Sequence, residues 1–482
     1  MTRRTKIVAT IGPATERPEQ LRALVDAGMD MARVSLSHGP LDQALERMAL
    51  VREVGEAAGR FVGVLADLPG PKVRAAAFPE GGIDLDAGDR LRLEPGSRAD
   101  GSGSSSAKTI VVHHAALLHE IEPGDAVAIG DGGILLRVDE VTSRHAVCTV
   151  LTGGRVQGKP GVSLPPERSS LSAPTPEDLL LLATLADAGV DAVAISFVRS
   201  GEDIDAARVV RPDAMLIAKI ETAEAVADLD AIIAAADGVM VARGDLGLRC
   251  ALEDVPHHQK RIIRTGVAFG RPVITATQML ESMIHAATPT RAEVTDVANA
   301  VFDGTSALML SGETAVGEYA VEAVETMARV AERAEADFDY QGWGRALGRL
   351  QTATATSGSA EVRITAAVSA AAWRASVDAD VAAIIACTNT GATARAISRF
   401  RPRVPVIAAT PSVRTAHQLS VAWGITPMLT DRHATTDDIV WFAVQTAVQR
   451  RHVRSGDLVA VLVGSPKDPS PTTDTLRLVR VR

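Results

Sequence analysis

The chain has 482 residues, a net charge of −9, only 3% aromatic residues and three cysteines. Its length exceeds what one core can hold and implies roughly two to four domains. The acidic balance argues against a nucleic-acid partner, which needs a basic face, and Cys148, Cys250 and Cys387 stand in no metal-ligand or disulfide spacing, as expected in a reducing cytoplasm.

Near the start, Arg3-Arg4 precedes only the short apolar run Ile7-Val8-Ala9, too brief for a signal-peptide core. No apolar stretch approaches the length of a bilayer. The expectation is a soluble cytoplasmic protein without a membrane partner.

From residue 5 onward, Val-, Ile- and Leu-rich runs alternate with amphipathic segments. The runs are KIVATIG (6 to 12), MARVSL (31 to 36), FVGVLADL (61 to 68), DAVAISF (191 to 197), AMLIAKI (214 to 220), GVMVARG (238 to 244), PVITAT (272 to 277) and SALMLSG (306 to 312). Helical patterns lie between most of them, at 18 to 28, 177 to 189 and 223 to 236, several ending at Gly. Runs buried on both faces and separated by helices imply a parallel sheet. Eight such units predict an α/β fold built on a closed (β/α)₈ TIM barrel.

The alternation breaks between 70 and 167, where Gly-Asp and Pro-Gly turns separate short pieces (RLRL, TIVV, AVAIG, ILLRV, AVCTVL) with a GSGSSS tip at 101 to 106. This reads as a small β-barrel lid domain inserted after the third barrel strand. A long helix is predicted over 314 to 338 and a weakly patterned linker over 351 to 360, followed by a fresh α/β series at 382 to 388, 404 to 410, 425 to 430 and 458 to 464. The expected division is barrel 1–69, lid 70–167, barrel 168–345 and C-terminal α/β domain 346–482.

In such barrels the C-terminal ends of the strands form the active face. The residues falling there are Arg33, Ser35, Ser37 and His38, then Asp67, Ser196, Lys219 with Glu221, Arg243 with Asp245, Thr277, and Ser311 with Glu313. Any one of them could be an ordinary polar strand end. Together they crowd charge into one low-dielectric mouth, at heavy cost unless a ligand or metal compensates.

Lys219 and Glu221 lie at i and i+2 of a strand and so project the same way. Glu221 and Asp245, one strand apart, offer two carboxylates to a hard cation, Mg²⁺ or Mn²⁺, that holds a phosphate. Lys219 would meet the transferring group. Gly244 leaves backbone N–H groups open to an anion such as a carboxylate.

The segments TKIVATIGPA (5 to 14), SHG (37 to 39), GPKVR (70 to 74), SFVR (196 to 199), KIE (219 to 221), VARGDLG (241 to 247), ATQMLESM (276 to 283), PTRAEVTDVANAV (289 to 301) and SGETA (311 to 315) resemble the pyruvate kinase family, in order and over nearly the whole chain. The resemblance implies a barrel, a mobile lid, a regulatory C-terminal domain and a homotetramer. It implies phosphoryl transfer from phosphoenolpyruvate to ADP, giving pyruvate and ATP.

By that similarity Arg33 and Lys219 hold the phosphoryl group, while Glu221 and Asp245 hold Mg²⁺. Backbone at Gly244 and Asp245, with the Thr277 hydroxyl, holds the substrate carboxylate. Ser35, His38 and Arg74 face the nucleotide. A proton could reach the enolate through water near Thr277 and Ser311.

Three departures carry information. Family members that need K⁺ have Glu where this chain has Lys72 and Asn where it has Ser35, so the monovalent-cation pocket of Ser35, Ser37 and Asp67 is expected to be served by the tethered ammonium of Lys72, with K⁺ not required. The bland reading of Lys72 is an exposed loop lysine.

GGRVQGKP (153 to 160) mimics a P-loop, but Pro160 occupies the Mg²⁺-binding Ser/Thr position and no strand-to-helix context surrounds it. In relatives a nucleotide-contacting lysine stands at the position of Pro160, which leaves Lys159, one residue earlier, as the candidate substitute. CTNTGATAR (387 to 395), with Thr388, Thr390, Gly391 and Thr393, reads either as a nest for a phosphorylated effector or as an ordinary capped helix.

Two rival readings are a barrel lyase acting on a phosphoenolpyruvate-like acid and a non-catalytic metabolite-sensing paralogue. The inserted lid counts against the first. Intact Arg33, Lys219, Glu221, Asp245 and Thr277 count against the second.

Overall fold

The computed structural model describes residues 3–96, 104–130, 133–164, 172–185, 188–354, 360–465 and 472–482. Eight parallel strands, Lys6–Thr10, Met31–Ser35, Gly63–Asp67, Ala192–Ile195, Met215–Ile220, Gly238–Ala242, Val273–Ala276 and Ala307–Leu310, close into a barrel in which each neighbours the next in sequence and the last pairs with the first. Each coincides with one of the eight apolar runs. The fold is the expected TIM barrel.

Few aromatics were available to fill the barrel. Its interior is packed with Met31, Met215, Met240 and Met309 among Val8, Leu65, Ile217, Ile274 and small Ala residues. Methionine's unbranched chain fits the irregular gaps that such alanines leave. The floor is closed by Val421 from the C-terminal segment, fully buried in the same cluster.

The strands between 83 and 163 form a six-stranded sheet and a two-stranded ribbon over a separate core that includes Leu93, Val112, Leu136 and Cys148. Half of the GSGSSS tip, residues 101–103, lies outside the described residues. The third sheet has five strands, with Ile425–Leu429, Val406–Thr410, Ala383–Cys387 and Leu458–Val463 parallel and Thr475–Arg480 added antiparallel at one edge.

Several helices differ from the sequence reading. Residues 223 to 236 split into Ala223–Ala227 and Leu229–Ala235 at Asp228. The helix predicted from 314 starts at Ala320, because a short turn, Gly312–Ala315, and Gly317 precede it. Residues 351 to 354 belong to a helix, Tyr340–Thr354, that the weak pattern did not announce.

Arg401 joins the C-terminal segment to the barrel. It is 2% exposed, its guanidinium lies within 5.5 Å of the rings of Phe338, Trp343 and Trp423, and it donates to the carbonyls of Gly304 and Thr305. Ring quadrupoles and carbonyls thus replace the water the buried cation gave up. Among the described residues no helix is long and apolar enough to cross a membrane.

Candidate active site

The strand Met215–Ile220 is buried throughout, so the polar atoms of Lys219 and of Glu221 just beyond it must find partners inside the protein. The Lys219 ammonium donates to Ser196 Oγ at 2.7 Å and lies 2.9 Å from Glu221 Oε1 and 3.3 Å from Asp67 Oδ1. Burial alone would lower its pKa, but Asp67 and then Glu221 outweigh burial and hold it above the ordinary lysine value. Lys219 is therefore a permanent cation at the mouth.

Arg33, on the second strand, reaches the third: its Nε donates to Asp67 Oδ2 at 2.7 Å and its Nη1 to Thr10 Oγ1 at 3.1 Å. Asp67 is held below the usual carboxylate range because Lys219 and Arg33 together overcome the opposing effect of burial. Ser196 Oγ donates to Leu68 O at 2.8 Å. Acting as acceptor and donor at once, Ser196 links the third, fourth and fifth strands, a role that no spacing in the sequence announces.

Glu221 is fully buried. Its Oε2 accepts the Phe197 N–H at 2.7 Å, whereas Oε1 meets only the Lys219 ammonium, at 2.9 Å. Burial pushes the carboxyl above the ordinary glutamate value; Lys219 opposes this and Asp245 adds to it. Asp245, half-buried in the short helix Arg243–Gly247, takes no side-chain hydrogen bond among the described residues.

A buried carboxylate oxygen whose one partner is an ammonium, beside the Asp245 carboxylate that takes no side-chain hydrogen bond among the described residues, fits a hard divalent cation. Among the described residues no group of three or more His, Cys, Asp or Glu could hold a metal. Two protein ligands suit Mg²⁺, which keeps several waters and binds substrate oxygens.

Thr277 and Gln278 follow the seventh strand with φ of 68° and 53°, a left-handed pair of non-glycine residues that the surroundings must enforce. Arg243 does so by donating to Thr277 O at 2.7 Å and Ala276 O at 3.2 Å while pairing with Asp296 at 2.7 Å. Arg243 therefore braces the rim rather than facing the mouth.

The Gly244 N–H donates to Thr277 Oγ1 at 2.8 Å, and that hydroxyl donates to Ala276 O at 2.7 Å. Ser311 donates its N–H to Glu313 Oε2 at 2.7 Å, and Glu313, fully buried, also accepts the Leu280 N–H.

On the lid side, Arg74 donates to the carbonyl of Lys159 at 3.3 Å and forms an isolated antiparallel bridge with Gly161. Lys159 is exposed. His38 is exposed on the rim; partial desolvation first, then Arg74, Arg33 and Lys72, hold its imidazole below the usual value. These cations therefore share one region. Lys72 lays its stem against Gly161, where a Cβ would stand 2.9 Å from its Cε. Ser35 Oγ accepts the Ser37 N–H at 3.4 Å. Pro160 sits between lid strands with no helix following, which removes the P-loop resemblance.

In the C-terminal segment the helix after the CTNTGATAR loop is short, Ala392–Ser398, and begins at Gly391 with φ 81°. Two of the hydroxyls proposed for a phosphate are engaged internally, Thr388 Oγ1 accepting the Gly391 N–H and Thr393 Oγ1 bonding Thr473 Oγ1 at 2.7 Å. The loop borders a cavity of about 250 Å³ that also receives Arg432 and His433.

A closed parallel barrel whose mouth fixes two cations against three carboxylates, beneath an inserted β-rich lid, is the framework of an enzyme that transfers an anionic group. The family model described as pyruvate kinase, barrel domain, matches residues 2–324, and that described as pyruvate kinase, alpha/beta domain, matches residues 366–479. Pyruvate kinases of Clostridium acetobutylicum and Methylorubrum extorquens are 37% and 39% identical, covering 98% and 99% of this chain and 99% and 98% of those proteins. The crystal structure of a pyruvate kinase from Cryptosporidium parvum superposes with a TM-score of 0.87 at 32% identity, covering 100% of this chain and 96% of that one.

The chain belongs to the pyruvate kinase family. It is a phosphotransferase of glycolysis.

Proposed function

We propose that the barrel mouth transfers the phosphoryl group of phosphoenolpyruvate to ADP with Arg33 and Lys219 as its fixed cations. The observation that carries this reading is the Lys219 ammonium, buried and held charged within 3.3 Å of Ser196, Glu221 and Asp67. Such transfer needs little covalent help, so its rate comes from positioning and from positive charge placed where negative charge gathers.

Glu221 and Asp245 would hold the divalent cation, Mg²⁺ or Mn²⁺, which when bound supplies further positive charge to the phosphoryl oxygens. Backbone at Gly244 and Asp245, with the Thr277 hydroxyl, would orient the substrate carboxylate. Water near Thr277 and Ser311 delivers the proton that turns the enolate into pyruvate. His38, Arg74, Lys159 and Ser35 line the nucleotide side.

Lys72 would stand in for a monovalent cation near Ser35, Ser37 and Asp67, and we infer that K⁺ is not required. The division at 69, 167 and 345, a homotetrameric assembly and a cytoplasmic location with free thiols belong to the same reading. So does a phosphorylated effector at Thr388, Thr390, Gly391 and Thr393, for which Arg432 offers a countercharge.

Pyruvate formation from phosphoenolpyruvate, with and without ADP and Mg²⁺, tests the assignment. Product that depends on both supports it, nucleotide-independent turnover would indicate a lyase, and no turnover a sensing paralogue.

A further inference from the structure

Phe197, two residues past the fourth barrel strand, has an unusual backbone state. Its φ is 58°, a region that a bulky residue occupies only when its surroundings over-determine it. Three contacts do so. Its N–H donates to Glu221 Oε2 at 2.7 Å. Its ring, 6% exposed, has the Arg249 guanidinium carbon 4.8 Å from its centroid. Its Cδ2 is so near Gly70 that a Cβ there would lie 3.0 Å from it and 2.7 Å from Ser196 Cβ.

Each contact comes from a different working part. Gly70, with φ 66°, begins the crossing from the third barrel strand into the lid, and its N–H donates at 3.1 Å to Asp178, the residue that completes the capping box of the helix Pro176–Thr184 on the return crossing. Arg249 follows the short helix that carries Asp245, and among the described residues its guanidinium makes no hydrogen bond or ion pair. Lys72, Phe197, Asp245 and Arg249 line one cleft between lid and barrel.

We propose that Phe197 is a positioning residue. Its ring, held by Gly70 of the lid hinge and by Arg249, fixes the N–H that orients Glu221, so the cation affinity of the Glu221 and Asp245 pair follows how that ring is packed. The proposal rests on the reading of those two carboxylates as the metal site. It gives the lid a physical handle on the metal: whatever shifts Gly70 shifts Phe197, and the Glu221 carboxylate moves with it. Hydrogen-bond partners behind a metal ligand usually tune affinity about 10- to 100-fold.

Charge alone predicts the opposite result for one variant. Deleting the Arg249 cation beside a cation site should strengthen metal binding. Loss of the ring's clamp should weaken it.

The test is Mn²⁺ binding to the full chain without substrates, read from the electron paramagnetic resonance signal of free Mn²⁺, with thermal midpoints measured in parallel. R249M, which keeps apolar bulk, and G70A, which drives a methyl into the ring, are each expected to bind Mn²⁺ about 10-fold more weakly. R249K, which restores a cation over the ring, should recover part of the loss. Should G70A fail to fold, R249M and R249K carry the test.

E221Q is the control for the underlying reading. Wild-type Mn²⁺ affinity in E221Q overturns the metal site itself. Weak binding in E221Q with unchanged or tighter binding in R249M overturns the positioning role alone, as does R249K binding no better than R249M.

Discussion

Nζ of Lys219 lies 2.9 Å from Oε1 of Glu221, two positions along the same chain, and Oε1 has no other partner. The same ammonium donates to Ser196 Oγ. The pair is a buried salt bridge that uses one side of Oε1, so the oxygen's other lone pair can meet a second cation while the lysine stays charged.

Removing that charge should be expensive for catalysis and, because it leaves Asp67 and Glu221 buried without their ammonium, for folding as well. Lys219→Ala is expected to lower turnover by roughly 10² to 10³, measured as ADP-dependent pyruvate formation at saturating substrates. Turnover within a few-fold of wild type would show that Lys219 does not meet the transferring group.

Asp245→Asn keeps the shape of the side chain and removes half of the carboxylate pair. The Mg²⁺ concentration for half-maximal rate should rise by at least about 10-fold, the lower end of what even an outer partner of a metal ligand costs. An unchanged Mg²⁺ dependence would remove Asp245 from the metal site.

Lys72 makes a prediction about salt. Rates in K⁺ and in a tetraalkylammonium salt at equal ionic strength should be equal, because a tethered ammonium replaces the free ion. Lys72→Glu should create a K⁺ requirement. Many-fold K⁺ stimulation of the wild type would return Lys72 to an ordinary loop lysine.

Asp67 and Lys219 set opposite ends of a pH window for stability. Asp67 is held below its ordinary value, so its contribution is complete above about pH 4 and is lost as pH falls further, through its folded value. Lys219 is held above its ordinary value, so its contribution is complete below about pH 10.4 and is lost as pH rises past that. Breaking a buried pair from one side costs about 3 to 5 kcal/mol. Asp67→Asn should therefore lower the thermal midpoint at pH 7, and the gap to wild type should narrow below pH 4. A gap independent of pH would show that the Asp67 charge contributes nothing.

Lys159→Ala tests the nucleotide side. Exposed beside Arg74, Lys159 should contribute to ADP binding more than to chemistry, so KM for ADP should rise with little change in kcat. If neither constant moves, Lys159 does not substitute for the lysine displaced by Pro160.

The barrel was legible because a strand buried on both faces has to be written almost entirely in apolar letters, and all eight were. The helix Tyr340–Thr354 was not, since its sequence, with Gly342, Gly344 and Gly348, combines weak helix formers with a tail that reads as linker. The edge strand Thr475–Arg480 carries a mostly half-exposed pattern and pairs on one side only, which leaves a faint signal.

At the mouth, strand-end position pointed to Lys219, Glu221 and Asp67. What sequence could not give was bonding between strands: that Arg33 spans to Asp67, that Ser196 serves three strands, or that Gly244 spends its N–H on Thr277. Phe197 was passed over although it stands in the quoted SFVR segment, because an aromatic after a strand reads as core until its φ is known.

Val421 seals the barrel from below, and Gly63 leaves room for the Ser420 hydroxyl and the His417 carbonyl beside it. A gene fragment stopping near residue 350 would therefore encode a vessel with its drain open, wetting the methionines that fill it. Recombination that swaps the tail for another must bring its own stopper, and the two halves are expected to be inherited together.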